Sequence, residues 1–407
     1  MNKHKLKKEG TKWVENKLIT EDQLHAILAT YKQRNHSYLL ILFAALLVSL
    51  GVLIFVLSDW AQVPNLIRIS VMLLSMIVLY GFGDYFYKKS TAATETYPYF
   101  LGVSFLLLGY VFFGATLLLI IHMYNVVLLS VWPYTIWGLI GLLLYVMYPH
   151  VLIYITGLVI TMFGQIYSGM ALHHFDIFIF AVFLIGYTFI AYKHHQKLTS
   201  YVLAIGFVIQ SLIATWMFTD SYYWFMLYIF ILYVASYLMP KHKQALETSF
   251  FYISIYTIFI FKMFETFILQ DDHFFQNVIF EPVFFILLGI SWVTTASYIL
   301  YQQDYARLID ISLFIPFFFL PFGYMYVIVS MFLFSLFYVV KGYQTQINKT
   351  MITGIVTFLL STLTVYVQFA WETLNKSLFF IIGGLLLFGL SYLLEKLRRK
   401  REQGDGQ

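Results

Sequence analysis

Residues 282–301 read PVFFILLGISWVTTASYILY, an apolar stretch of 20 residues with no charged side chain. The hydrocarbon core of a bilayer is about 30 Å thick and a helix rises about 1.5 Å per residue, so about 20 apolar residues make one crossing. Stretches of this kind recur along the chain, at 38–57, 69–87, 99–121, 126–148, 150–168, 175–192, 199–219, 222–239, 248–269, 308–321, 323–340, 350–370 and 377–394. Residues 308–340 read either as two short helices broken at Pro321 or as a re-entrant pair, and Pro149 is the only break between the fourth and fifth runs. The fold class that follows is all-α, a polytopic bundle of about fourteen transmembrane helices.

Composition leads to the same class. The 407 residues are 61% hydrophobic and 11% charged, with a mean hydropathy of +0.79. A soluble domain is about 25% charged, and none could hide this much apolar surface. Aromatic residues make up 20%, and many Tyr and Trp stand at the ends of apolar runs, where an amphipathic ring suits the membrane interface. There is no cysteine, which excludes disulfides, thiolate metal sites and cysteine nucleophiles. The first run, about twenty residues behind a patterned polar segment, reads as a retained helix and not a signal peptide.

Charge supplies an orientation. With the N-terminus inside and fourteen crossings, 22 of the 25 Lys and Arg fall on the cytoplasmic side, in the head, at Lys88-Lys89, Lys193, Lys197, Lys241, Lys243, Arg307, Lys341 and Lys349, and in the tail. Short cytoplasmic loops collect such residues, so both termini are expected inside the cell. The net charge of +5 is therefore an orientation signal and does not call for a nucleic-acid partner.

Three regions follow: a cytoplasmic head at 1–36, a transmembrane domain at 37–395 and a basic tail at 396–407. In the head, Thr20-Glu21-Asp22-Gln23 has the form of a capping box, in which the Thr hydroxyl and the Gln side chain satisfy free backbone donors. Leu24, Ile27, Leu28 and Tyr31 then recur at helical spacing and make one apolar face. That face either closes a small hairpin with the stretch from Leu6 to Glu15 or meets a partner, a second copy or an envelope-biogenesis protein.

Leu18-Ile19-Thr20-Glu21-Asp22-Gln23, Ser58-Asp59-Trp60-Ala61-Gln62-Val63-Pro64 and the Gly-rich third run ending in His122-Met123-Tyr124 resemble the bacterial predicted membrane proteins of domain-of-unknown-function family 2157. The resemblance covers about residues 10–170, with Asp59 in place of the commoner Asn and His122 in place of the commoner Gln. It implies a bacterial membrane protein and no particular reaction. Richness in Phe, Tyr, Ile and Lys points to a low-GC Gram-positive source.

The sharpest chemical feature is Lys262 with Glu265, three residues apart within the ninth run and so on one helical face. A charge in hydrocarbon costs about 2.5–3.5 kcal/mol on insertion scales, which favours a wet cavity or bundle interior. The alternative is that Lys262 snorkels its ammonium to the nearer surface. Asp84 and Asp310, at the ends of their runs, read as interfacial, and Gln165 and Gln210 as interhelical hydrogen-bond partners. A polar set falls at the outer face on this topology: Asp59, Trp60, His122, Tyr124, Gln165, His173, His174 and Asp176. Imidazole with carboxylate is a metal shell in principle. Exported loops collect acids in any case, no HExxH spacing is present, and solvated loop residues are the plainer reading, so neither metal nor cofactor is expected.

No P-loop, GxGxxG, GxSxG or DDxxD-like cluster occurs, and no catalytic residue is assigned. Three functions fit what remains. The first is an accessory or scaffolding factor of cell-envelope biogenesis, with membrane lipids and an envelope protein or a second copy as partners. The second is a secondary transporter or flippase, and the third a membrane-embedded glycosyl- or acyltransferase.

Overall fold

A computed structural model describes residues 10–24, 43–54, 63–124, 130–269 and 280–370, apart from a few single positions within them, and also Ile381 and Leu385. The described residues are helical and include no strand. Every apolar run between residues 69 and 370 has its helix. In chain order these are α1 (Asn65–Ala93), α2 (Thr96–Met123), α3 (Trp132–Met147), α4 (Val151–Leu172), α5 (Ile177–His194), α6 (Lys197–Phe218), α7 (Trp224–Leu238), α8 (Gln244–Ile268), α9 (Pro282–Tyr301), the short α10 (Leu308–Ser312), α11 (Gly323–Thr345) and α12 (Asn348–Ala370). Nine helices among the described residues are long and apolar enough to cross a membrane, and α3, α7 and the segment Leu308–Phe319 are shorter apolar helices. The first and last runs lie largely outside the described residues, and the tail at 396–407 lies wholly outside them.

The chain divides into two compact units, Met1–Gly157 and Leu158–Gln407, with the division inside α4. In the first unit α1 and α2 form a hairpin whose closeness depends on glycine. A Cβ on Gly102 would sit 2.6 Å from the Tyr87 backbone nitrogen. Tyr110 and Trp137 then lock α2 to α3 reciprocally: the Tyr hydroxyl donates to the Trp137 carbonyl at 2.7 Å, and the indole N–H donates to the Tyr110 carbonyl at 3.0 Å. Asp84 accepts from Lys88 at 2.7 Å and from the Tyr148 hydroxyl at 2.7 Å. Between α3 and α4, His150 accepts the Leu152 N–H on Nδ1 at 3.2 Å, and burial pulls its imidazole down to about 4.

The head carries its capping box: the Thr20 N–H donates to Gln23 Oε1 at 3.0 Å and the Gln23 N–H to Thr20 Oγ1 at 3.3 Å. Leu24 is buried against Trp13, Val14 and Ile19 of the same head. Ile27, Leu28 and Tyr31 lie outside the described residues.

The core of the second unit is an aromatic cluster drawn from α7, α8, α9, α11 and residues 308–319, with Tyr223, Phe230, Phe259, Phe284, Phe314, Phe318 and Phe334 all fully enclosed. α11 and α12 form a tight hairpin, since a Cβ on Gly342 would overlap the backbone of Met351 and one on Gly354 the backbone of Val339. One irregularity interrupts α5, a π-helical turn at Val182–Tyr187.

Candidate functional site

Residues 305–319 are the least regular part of the second unit, and Asp310, Ile311, Leu313, Phe314 and Phe318 within them are fully buried. They begin with a 3-10 turn at Tyr305–Arg307, continue as five residues of α10, unwind over Leu313–Pro316 and end in a 3-10 turn at Phe317–Phe319. Proline explains the break: Pro316 lacks an N–H, and its ring disfavours the helical conformation for Ile315. The segment nevertheless runs the length of its neighbours. At its start, the Arg307 guanidinium lies 4.6 Å from the ring centre of Tyr237 near the end of α7 and pairs with Glu247 at the start of α8, 3.2 Å away. At its end, Phe318 stacks on Tyr223, just before α7, at 4.9 Å, and meets Phe284 at the start of α9. Residues 308–319 thus travel from one end of α7 to the other as a broken element. The break expected at Pro321 is present, since α11 begins at Gly323, and a second one that the sequence did not signal lies within the run, at Leu313–Pro316.

Unwinding leaves carbonyls without their helical donors, and each needs a partner in an apolar interior. The Trp292 indole N–H donates to the Ile311 carbonyl at 3.0 Å. The Lys262 Nζ donates to the Ile315 carbonyl at 2.9 Å, beside the Phe317 N–H at 3.1 Å. The same ammonium is 2.8 Å from Glu265 Oε2 and 5.4 Å from the ring centre of Phe317. Both charged side chains are fully buried, so Lys262 turns inward instead of snorkelling. Apart from that ion-pair contact, neither Glu265 carboxylate oxygen has a hydrogen-bond partner among the described residues. Burial and the neighbouring Glu265 carboxylate push the Tyr222 phenol, in the turn before α7, far above its usual range. Tyr222 also lines an apolar groove of about 630 Å³ between α6, α7 and the far half of α8, bordered by the exposed side chains of Leu212, Trp216 and Phe264.

Asp310 corrects an expectation. A lone Asp at the start of an apolar run reads as interfacial, yet it is 0% exposed. Its carboxyl accepts from the Tyr338 hydroxyl at 2.6 Å and from the Tyr233 hydroxyl at 3.2 Å. It also lines a cavity of about 380 Å³ at the basic end of this unit, together with Glu247, Arg307, Lys341 and Lys349. Gln210 corrects a second expectation: it is buried, but neither its amide nitrogen nor its oxygen has a partner among the described residues.

The members of the polar set expected at one face fall in both units. Asp59 and Trp60 lie outside the described residues, and His122 and Tyr124 are exposed at the end of α2 in the first unit. In the second unit Gln165 is buried within α4, and His173 is exposed with a left-handed backbone, φ 51°. Asp176 is the N-cap of α5 and accepts the N–H groups of Phe178 at 2.9 Å and Ile179 at 3.0 Å. His174 Nε2 stands 3.9 Å from its other oxygen. That carboxylate is engaged in ending a helix, and among the described residues no group of three or more His, Asp or Glu is placed to hold a metal. Sequence reasoning did not single out the strap at Glu281, which accepts from Ser221 Oγ at 2.6 Å and the Trp224 indole at 2.7 Å.

No curated protein and no solved structure matches the chain. The match that does exist spans the head and the first helices and stops before the second unit. Residues 11–153 match the family described as predicted membrane protein (DUF2157), so this part of the chain is similar to that family.

Proposed function

We propose that this protein is a multi-pass carrier of the cell membrane, a secondary transporter or flippase, with residues 308–319 as the element that rearranges during transport. The observation that carries the reading is the Lys262 ammonium bonded at once to Glu265 and to the unwound Ile315 carbonyl. Carriers commonly build their sites from discontinuous helices near the bilayer midplane, because unwound backbone is tolerated only where protein or a cavity covers it. A buried ion pair is weak evidence for stability and is better explained by a role in switching between states. The groove beside Tyr222 is open to the lipid-facing side chains of α6 and α8, which suits an amphiphilic substrate. The topology that goes with this reading has fourteen crossings and both termini in the cytoplasm.

The test is electrophysiology on solid-supported membranes carrying proteoliposomes, challenged with amino acids, organic phosphates and sugars, together with a lipid-scrambling assay using a fluorescent phospholipid. A solute-dependent current or scrambling that is lost in Lys262→Met with Glu265→Gln supports the reading. Equal signals from the double variant and the wild type would remove it.

A second reading, an accessory factor of envelope biogenesis in a Gram-positive cell, draws on one observation. What the family match covers is the head and the first helices, and not the broken element. Against it, the described part of the head face is covered by the head's own Trp13, Val14 and Ile19. Affinity purification with and without residues 1–36 separates the two readings, since a scaffold loses its envelope-protein partner when the head is removed.

A further inference from the structure

We infer that Asp310 is a binding site for a small monovalent cation, a proton or a sodium ion, taken up from the cavity at the basic end of the second unit. Asp310 is fully enclosed, and among the described residues no basic side chain comes within ion-pair distance of it. That sets it apart from Glu265, which is equally buried but faces Lys262 at 2.8 Å. A buried carboxylate without a counter-charge is costly, and a bound cation removes the cost.

The surroundings supply oxygen ligands but no neutralising partner. The two groups that touch Asp310 are the hydroxyls of Tyr233 on α7 and Tyr338 on α11. Arg307, one turn earlier, is already shared between Glu247 at 3.2 Å and Asp304 at 3.0 Å. Lys341 on α11 lies near the rings of Phe337 and Tyr338, and Lys349 stands at the exposed start of α12. Both line the cavity, as does Glu247, and act on Asp310 only through space. The cavity, of about 380 Å³, has room for water and gives a cation a route in.

The position matters as much as the chemistry. Asp310 lies in the helical half of the broken element and Ile315 in its unwound half, so occupancy at Asp310 acts on the same short segment that Lys262 grips. Calling Asp310 the coupling site rests on the carrier reading; its being a cation site does not.

The experiment uses the purified full-length chain in detergent and follows thermal unfolding of wild type, Asp310→Asn and Tyr338→Phe. One arm varies pH, and the other replaces choline chloride by sodium chloride at fixed ionic strength. A cation that binds the native state more tightly than the unfolded chain raises the melting temperature as it is added. Wild type should therefore gain stability on acidification through the native site's midpoint, or on adding sodium, and Asp310→Asn should lose that gain. Tyr338→Phe removes a donor that favours the bare carboxylate, so a proton midpoint should move about tenfold toward lower proton concentration, whereas a sodium midpoint, which loses an oxygen ligand, should move toward higher sodium concentration. That variant keeps the test open if Asp310→Asn does not fold. A wild-type gain kept in full by Asp310→Asn, no gain in either arm, or an unmoved midpoint in Tyr338→Phe would overturn the inference. A cation-dependent gain without solute current would leave the site standing and remove the carrier.

Discussion

Replacing Lys262 by methionine removes three interactions at once: the 2.8 Å contact with Glu265, the 2.9 Å bond to the Ile315 carbonyl and the contact with the Phe317 ring. It leaves Glu265 buried and uncompensated, and removing one partner of a buried pair costs about 3–5 kcal/mol. Glu265→Gln strands the Lys262 ammonium and should cost a similar amount, toward the lower end, because the Ile315 carbonyl and the amide oxygen can still accept from it. In the double variant no charge is stranded, and the Ile315 carbonyl loses the ammonium but keeps the Phe317 N–H at 3.1 Å, so the cost should be about 0.5–1.5 kcal/mol. The two single effects should therefore exceed the double by about 2 kcal/mol or more, a coupling that double-mutant cycles resolve. The assay is reversible unfolding in mixed micelles as the fraction of denaturing detergent rises, read by tryptophan fluorescence on all four proteins. Single effects each below about 1 kcal/mol that simply add would refute the reasoning, since that is the pattern of exposed charges.

The α11–α12 hairpin should not tolerate side chains at its contact points: Gly354→Leu should cost about 1–3 kcal/mol in the same unfolding assay, with Gly289→Leu, which has open space around it, as the silent control. Asp176→Ala removes the two hydrogen bonds that cap α5 and should cost about 0.5–2 kcal/mol without changing any metal content measured by mass spectrometry. The His150 imidazole is held near 4, below the unfolded value of about 6.5, so stability present above the unfolded value should fall as pH drops from about 6.5 toward 4, and His150→Gln should flatten that part of the melting-temperature profile. Leu24→Asp should expose the head hairpin to protease while the helices still insert, because among the described residues Leu24 packs against Trp13, Val14 and Ile19 of the head.

The helices were legible because hydrocarbon length is a severe constraint. The run at 282–301 coincides with α9 residue for residue, and 350–370 differs from α12 by two residues at one end. Boundaries drifted where interfacial residues continue a helix past its apolar run, as at α1, which begins at Asn65 and reaches Ala93. The capping box at Thr20 was legible because its chemistry is local. Asp310 was not, since a charge at the edge of an apolar run carries no information about what covers it, and the cover comes from Tyr233 and Tyr338, distant in sequence. The break at Pro321 was legible because it stands between two apolar runs, whereas the second break was missed because Pro316 lies inside one. The pairing of Lys262 with Glu265 followed from helical spacing, but its third partner, a backbone carbonyl, has no signature in side-chain pattern. Within the second unit, the members of the outer polar set have separate local surroundings that composition does not encode: Asp176 caps a helix, Gln165 is buried in one, and His173 stands in an exposed turn.

The central claim is that residues 308–319 cross the membrane as a broken element, and cysteine accessibility tests it most directly in this cysteine-free chain. Gln302→Cys and Pro321→Cys are exposed positions on either side of the segment. Treated with a membrane-impermeant thiol reagent, intact cells should label Pro321→Cys and spare Gln302→Cys until they are permeabilised. Labelling of both, or of neither, in intact cells would place the two ends on one side and contradict the account.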